Sequence, residues 1–128
     1  MTIFRTQDAP RNAADPKTFT GPVHTQRLAE DAESVPVGVY RVEFADGGRT
    51  NWHTHSGPQW LFVVEGRIRI QTWGGVAHEL GKGDAVVIAP GEKHWHGAAP
   101  GAGGAHLAVN VNVVTEWLEP VTDEQYRS

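Results

Sequence analysis

The chain contains no cysteine. Disulfides, thiolate metal sites and thiol nucleophiles are therefore excluded. No apolar run approaches the roughly 18 residues that a membrane-spanning helix needs, so no membrane partner is expected. Positive charge is scarce: 11 Lys and Arg stand against 15 Asp and Glu, a formal charge of −4. There is no basic stripe or run, so no nucleic acid is expected as a partner. Residues 1–16 are polar, carry Asp8 and Asp15, and lack the apolar segment of a secretory signal,. That polarity points to a cytoplasmic protein. Helical periodicity is also missing, apart from a short terminal turn that Thr122 can cap ahead of Asp123,. No phosphate loop, nucleophile motif or motif-placed carboxylate pair occurs. Nucleotide, protease and glycosidase chemistry are therefore without support.

What the chain has is turn residues and short β-prone runs. Its 128 residues suit one domain that buries its own core,, and 15 Gly and 8 Pro punctuate it. Residues 1–18 read as an N-terminal arm, since Pro10, Pro16 and the Asn/Asp clusters break any period,. Residues 19–128 read as a single barrel domain with a short C-terminal tail. Runs rich in Val, Ile, Trp and Phe fall at 37–44, 60–64, 67–73, 85–89 and 105–114. Between them stand Asp46-Gly47-Gly48, Ser56-Gly57-Pro58, Glu65-Gly66, Gly74-Gly75, Gly81–Asp84 and Pro90-Gly91. Many short strands with frequent turns predict an all-β antiparallel sandwich or barrel with little helix.

Seven histidines are present, at 24, 53, 55, 78, 94, 96 and 106. His53-Thr54-His55 places two imidazoles at i and i+2, which share one face of a strand,. His94-Trp95-His96 repeats the spacing after a Pro-Gly turn. A metal site needs several neutral nitrogen or oxygen donors converging on one point, and two facing antiparallel strands can deliver them. Taken singly, each pair is more often two partly exposed strand residues than a metal site. His24 and His78 carry no pattern.

The order and the glycine punctuation resemble the cupin family. Gly47, five residues, His53-Thr54-His55, three residues, Gln59, six residues and Gly66 match the first cupin motif, with Gln59 in place of the usual Glu. Gly83, Gly91 and His94 fall in register with the second motif; Ala89 replaces its proline and Ala98 its asparagine. The motifs span 47–98, and flanking strands extend the likeness over about 19–118. The resemblance implies a jelly-roll-like double-sheet barrel holding one divalent metal ion per chain, with His53, His55, Gln59 and His94 as ligands by position. It also implies a homodimer or higher homo-oligomer. Three imidazoles and an amide would leave the ion its full 2+ charge, where a Glu would reduce it to 1+. Such a site favours an alkoxide, a carboxylate or cyanide.

Strand 105–114 has two distinct faces. Leu107, Val109, Val111 and Val113 are apolar and are expected in the hydrophobic packing; His106, Ala108, Asn110 and Asn112 face either water or a wet pocket. The barrel topology favours the pocket, with His106 and Asn110 approaching the metal. Tyr40 and Val42, on one face of strand 37–44 with Phe44, are expected to form the opposing pocket wall. Thr50 can offer a hydroxyl to a substrate, or is simply a β-former. His96 shares a face with His94 and is expected at the pocket rim. Trp52, Trp60, Trp73 and Trp95 are expected to pack barrel layers or a subunit interface, and Trp117 to close the last strand.

A narrower resemblance rests on Phe19-Thr20-Gly21, 49–55 (RTNWHTH), 91–100 (GEKHWHGAAP), His106-Leu107-Ala108 and 121–127 (VTDEQYR). These segments are similar to the small bacterial manganese-dependent cupin hydroxynitrile lyases. That likeness implies a small-molecule substrate, cleavage of cyanohydrins to aldehyde and cyanide, manganese as the metal, and His106 as proton acceptor with Thr50 orienting the hydroxyl. Iron, zinc or nickel in the same ligands is the other metal expectation. The competing readings are a metal-dependent dioxygenase acting on a small organic acid or phenol, and a non-catalytic barrel that binds a small ligand.

Overall fold

A computed structural model describes residues 1–29 and 34–128. After a single 3-10 turn at Thr6–Asp8, the strands are β1 (Asn12–Ala13), β2 (Phe19–Thr20), β3 (Val23–Ala29), β4 (Val37–Phe44), β5 (Arg49–Thr50) and β6 (His53–His55). They continue as β7 (Gln59–Thr72), β8 (Ala77–Gly81), β9 (Ala85–Ile88), β10 (His94–Ala98), β11 (Gly104–Val111) and β12 (Thr115–Trp117), followed by helix α1 (Asp123–Arg127). About half of the chain is strand and 6% is helix, in a curled antiparallel sheet that forms a half-barrel. The all-β expectation with little helix is met.

The main path runs β1-β3-β4-β11-β7-β10-β5-β2, with β6 on β10 and β12, and with β8 and β9 on β7. β7 holds the two layers together. Its first half pairs with β11 and β9, and its second half with β10 and β8. The sequence places a break at Glu65-Gly66, between two separate runs. The chain instead bends there without leaving the sheet. Gly66 has φ 62°, and a Cβ at that position would lie 2.0 Å from the Gly103 carbonyl oxygen. Only glycine permits both the left-handed backbone and that approach.

Alternation along the strands fills the interior. Val42, Phe44, Val63, Ile68 and Ala98 pack with Val23 in one cluster, and Leu61, Ile70, Ile88 and Ala108 in another. β10 is buried on both faces because the C-terminal tail covers its outer side. Trp95 packs there with Trp52, Val121 and Tyr126. Thr122 caps α1 as its position predicts, in a reciprocal capping box with Gln125,. The Tyr126 hydroxyl donates to the Ala98 carbonyl at 2.5 Å. Buried Arg49 donates to the Val121 carbonyl and to Asp123, both at 2.8 Å, and lies over the Tyr126 ring.

Two placements differ from the sequence reading. Within the arm, β1 forms the outermost strand on β3, and Arg11 pairs with Glu43 at 3.0 Å. The apolar face of β11 does not join the inner core. Leu107 and Val109 are half-buried on the outside of the sheet and Val111 is exposed, beside Trp60 and exposed Phe62 and Val87. The polar face, with His106 and Asn110, turns inward instead.

Candidate metal and substrate site

Pairing of β6 with β10 sets His53 directly across from His94. The i, i+2 spacing works as expected: His53 and His55 are buried with half-exposed Thr54 between them. Ring centroids lie 4.2 Å apart for His53 and His94, 4.9 Å for His53 and His55, and 5.6 Å for His55 and His94. Donor atoms of His53, His94 and His96 all fall within 4.8 Å of one another. This three-histidine cluster can bind one metal ion. His53 and His94 belong to the expected ligand set; His96, expected beside the site rather than as a ligand, joins them through the strand face it shares with His94.

Each imidazole is oriented through its other nitrogen. His53 Nδ1 faces the Asn51 carbonyl at 2.9 Å, and His94 Nδ1 the Glu92 carbonyl at 2.8 Å. A carbonyl only accepts, so both Nδ1 atoms carry the proton and both Nε2 atoms present a lone pair. His55 Nδ1 meets the Thr115 hydroxyl at 2.8 Å, while its buried Nε2 has no hydrogen-bond partner. Gln59 Nε2 donates to Asn110 Oδ1 at 3.0 Å, turning Gln59 Oε1 toward His94 Nε2 at 3.2 Å. Two lone-pair atoms facing each other repel unless a cation lies between them. The donor chemistry of His53, His55, Gln59 and His94 therefore fits a divalent ion. Asn51, Glu92 and Thr115 orient the imidazoles through backbone and hydroxyl oxygens, and no sequence pattern singled them out.

Burial keeps the histidines neutral. It pushes His94 and His106 down to about 4. It holds His53 and His96 well below the usual imidazole value, and neighbouring histidines add to the effect. His55 is lowered by burial as well. Neutral imidazole is the form that ligates metals and accepts protons.

A cavity of about 430 Å³ opens onto this cluster. Its wall includes Tyr40, Val42, Thr50 and Asn110 from the sequence expectation, together with His53, His55, Gln59 and His96. His94 and His106 are fully buried and are not part of that wall. His106 Nε2 meets His96 Nδ1 at 2.9 Å, so His96 stands between His106 and the cavity with its own Nε2 unpartnered. The Thr50 hydroxyl oxygen accepts from the His96 backbone amide at 3.2 Å. Phe19 and Trp117 also line the cavity, and Trp117 lies over His53 with centroids 4.7 Å apart. The sequence reading placed Trp117 at the last strand's exit and assigned Phe19 no role.

Residues 40–112 match the cupin domain model. The chain is 44% identical over 112 residues to the (R)-mandelonitrile lyase of Granulicella tundricola, covering 85% of this chain and 86% of that protein. The crystal structure of a cupin-like protein from Thermotoga maritima superposes with a TM-score of 0.86 at 39% identity, over 90% of each chain. The polyketide cyclase RemF from Streptomyces resistomycificus shares the fold, with a TM-score of 0.74 at 21% identity, over 98% of this chain and 90% of that one. The domain match, the relative over most of its length and the histidine-lined half-barrel agree: the chain belongs to the cupin family.

Proposed function

We propose that the chain is a metal-dependent carbon–carbon lyase that cleaves cyanohydrins to an aldehyde and hydrogen cyanide. The observation that carries this reading is the His96–His106 pair. His96 brings a neutral, buried and unpartnered imidazole nitrogen beside a neutral donor set, at a cavity whose described lining contains neither Asp nor Glu. The mandelonitrile lyase relative supports the same class. His53, His55, Gln59 and His94 would hold the ion, manganese by family likeness. His96, whose donor atom lies within 4.8 Å of those of His53 and His94, would stand beside it outside the ligand set, its Nδ1 held by His106 and its Nε2 kept for a proton. Bound there, it supplies a Lewis acid that makes a substrate hydroxyl more acidic.

The chain's own residues do the rest. Thr50 orients the hydroxyl. His96 Nε2 takes its proton, and the positive charge is shared with His106 through the 2.9 Å contact at Nδ1. His106 is thus the proton acceptor of the sequence reading acting through His96. Val42 and Tyr40 exclude water from one side of the cavity. The test is metal analysis of the purified protein, followed by mandelonitrile cleavage in air and under nitrogen. Equal rates of benzaldehyde release in both are expected from the metal-loaded protein. Absence of cleavage, or oxygen uptake in step with substrate loss, rejects the reading in favour of a binding barrel or a dioxygenase respectively.

The protein is further proposed to act as a homodimer. Trp60, Phe62, Val87, Leu107, Val109 and Val111 form one apolar outer sheet face that the chain itself leaves partly uncovered,. A second copy of the same face would bury it by two-fold pairing.

A further inference from the structure

β4, β11 and β7 lie side by side, and the register sets Gly38, Asn110 and Gln59 in one row across them. All three residues line the cavity. Tyr40 belongs to the next inward row, opposite Ala108. Its ring does not stay there. It leans over Gly38, so that a Cβ at position 38 would meet the Tyr40 ring carbon Cε2 at 2.7 Å and its hydroxyl oxygen at 3.5 Å. Gly38 thus gives the ring its seat and brings the phenol toward the Asn110 row.

Asn110 spends its Oδ1 on Gln59 Nε2. That bond leaves its amide N–H groups uncommitted to Gln59, in a residue that lines the cavity. The Tyr40 hydroxyl is a second donor on the same side. With Arg27 and no Asp or Glu among the described lining residues, the cavity that Tyr40 and Asn110 line suits negative charge.

We propose that Tyr40 Oη–H and Asn110 Nδ2–H form the seat of the departing anion, and that Tyr40 is a catalytic residue of this chain. The proposal rests on the lyase reading for the identity of that anion. In the step, the hydroxyl proton passes to His96 Nε2 and the O–H electron pair becomes the carbonyl π bond. The carbon–carbon pair leaves with the nitrile carbon as cyanide. Cyanide accepts hydrogen bonds from Tyr40 and Asn110, then takes the proton back from His96 to depart as hydrogen cyanide. The two donors act where charge develops, as an oxyanion hole does for oxygen.

Two variants test this. Tyr40→Phe removes the hydroxyl and keeps the ring. Gly38→Ala keeps the hydroxyl and displaces the ring from its seat. Sodium azide serves as a linear anion probe for the manganese-loaded protein, followed by calorimetry, alongside mandelonitrile turnover. A hydrogen bond to a charged group corresponds to roughly a 10- to 100-fold effect. Both variants are expected to bind azide about 10-fold or more weakly and to lose kcat by roughly 10- to 100-fold, with manganese content and KM near the parent's. Parental azide affinity in Tyr40→Phe overturns the proposal whether or not mandelonitrile is cleaved. Azide binding that depends on Tyr40, in a parent that fails to cleave mandelonitrile, keeps the anion seat and rejects the lyase reading alone.

Discussion

At the scale of single residues, the site depends on which atom each polar group has left over. His106 does not line the cavity and its Nε2 meets His96 Nδ1, so the proposed proton transfer makes the two one unit. His106→Ala should lower turnover by roughly 10²–10⁴, the worth of a positioned proton acceptor, and leave metal stoichiometry at one per chain. His96→Ala should cost as much, and the double variant little more than either alone. Additive losses in a double-mutant cycle of cyanohydrin cleavage would show two independent roles. Gln59 is governed by charge. Gln59→Glu adds a negative donor, so it should tighten manganese binding by at least about 10-fold while slowing cleavage, because the ion's Lewis acidity is damped. A competitive chelator titration reads the first effect, and weaker binding would refute the charge argument. The imidazole spacing His53-x-His55 was legible in the sequence because strand periodicity is local. The His96–His106 bond was not, since it joins residues of two different strands.

At the scale of elements, β7 decides the shape. The 14-residue strand serves both layers, and Gly66 is where it turns from one to the other. Gly66→Ala would force an L-residue to φ 62° and a Cβ into the Gly103 carbonyl. The backbone strain alone corresponds to about 1–3 kcal/mol, so the urea midpoint should fall clearly with an unchanged slope. A parental midpoint would mean that the bend is not held by Gly66. Turn chemistry in the sequence located this glycine, yet it read as the end of one strand and the start of another. Whether a glycine ends a strand or bends it depends on what packs against the bend, here the Gly103–Gly104 backbone. The short tail helix was easier, because its cap and capping box lie within four residues of each other.

At the scale of the whole molecule, two consequences follow from what is buried and what is not. The outer apolar face predicts a sedimentation mass near twice the chain's 13.9 kDa at micromolar concentration. Phe62→Lys should reduce it to the single-chain value, and a parent sedimenting at that value would reject the dimer. The interior predicts an acid-sensitive fold. His94 and His106 titrate near 4 when folded and near 6.5 when unfolded, and His53, His55 and His96 are displaced in the same direction. Below about pH 6.5 the unfolded chain therefore binds protons that the folded chain refuses, and stability falls with pH. Each unit of displacement corresponds to about 1.4 kcal/mol. The metal-free protein should keep its melting temperature above about pH 7 and lose it steadily from there to pH 5. A flat profile across that range would mean that the imidazoles are hydrated in the folded state.

Local order alone determined much of this protein. Strand alternation and glycine turns pointed to an all-β fold, and the i, i+2 spacing put His53 with His55 and His94 with His96 on shared strand faces, because periodicity is a property of consecutive residues; Gln59 joined the expected donor set only through the family resemblance,. Tertiary structure decided which face of β11 turns inward. An apolar face and a polar face differ in pattern but carry no direction, and the polar one turned in toward the histidine-lined cavity while the apolar one stayed on the outside of the sheet. It likewise decided that His96 rather than His106 reaches the cavity, and that Tyr40 leans over Gly38. Those relations are set by register between strands far apart in the chain, and no spacing along the sequence encodes them.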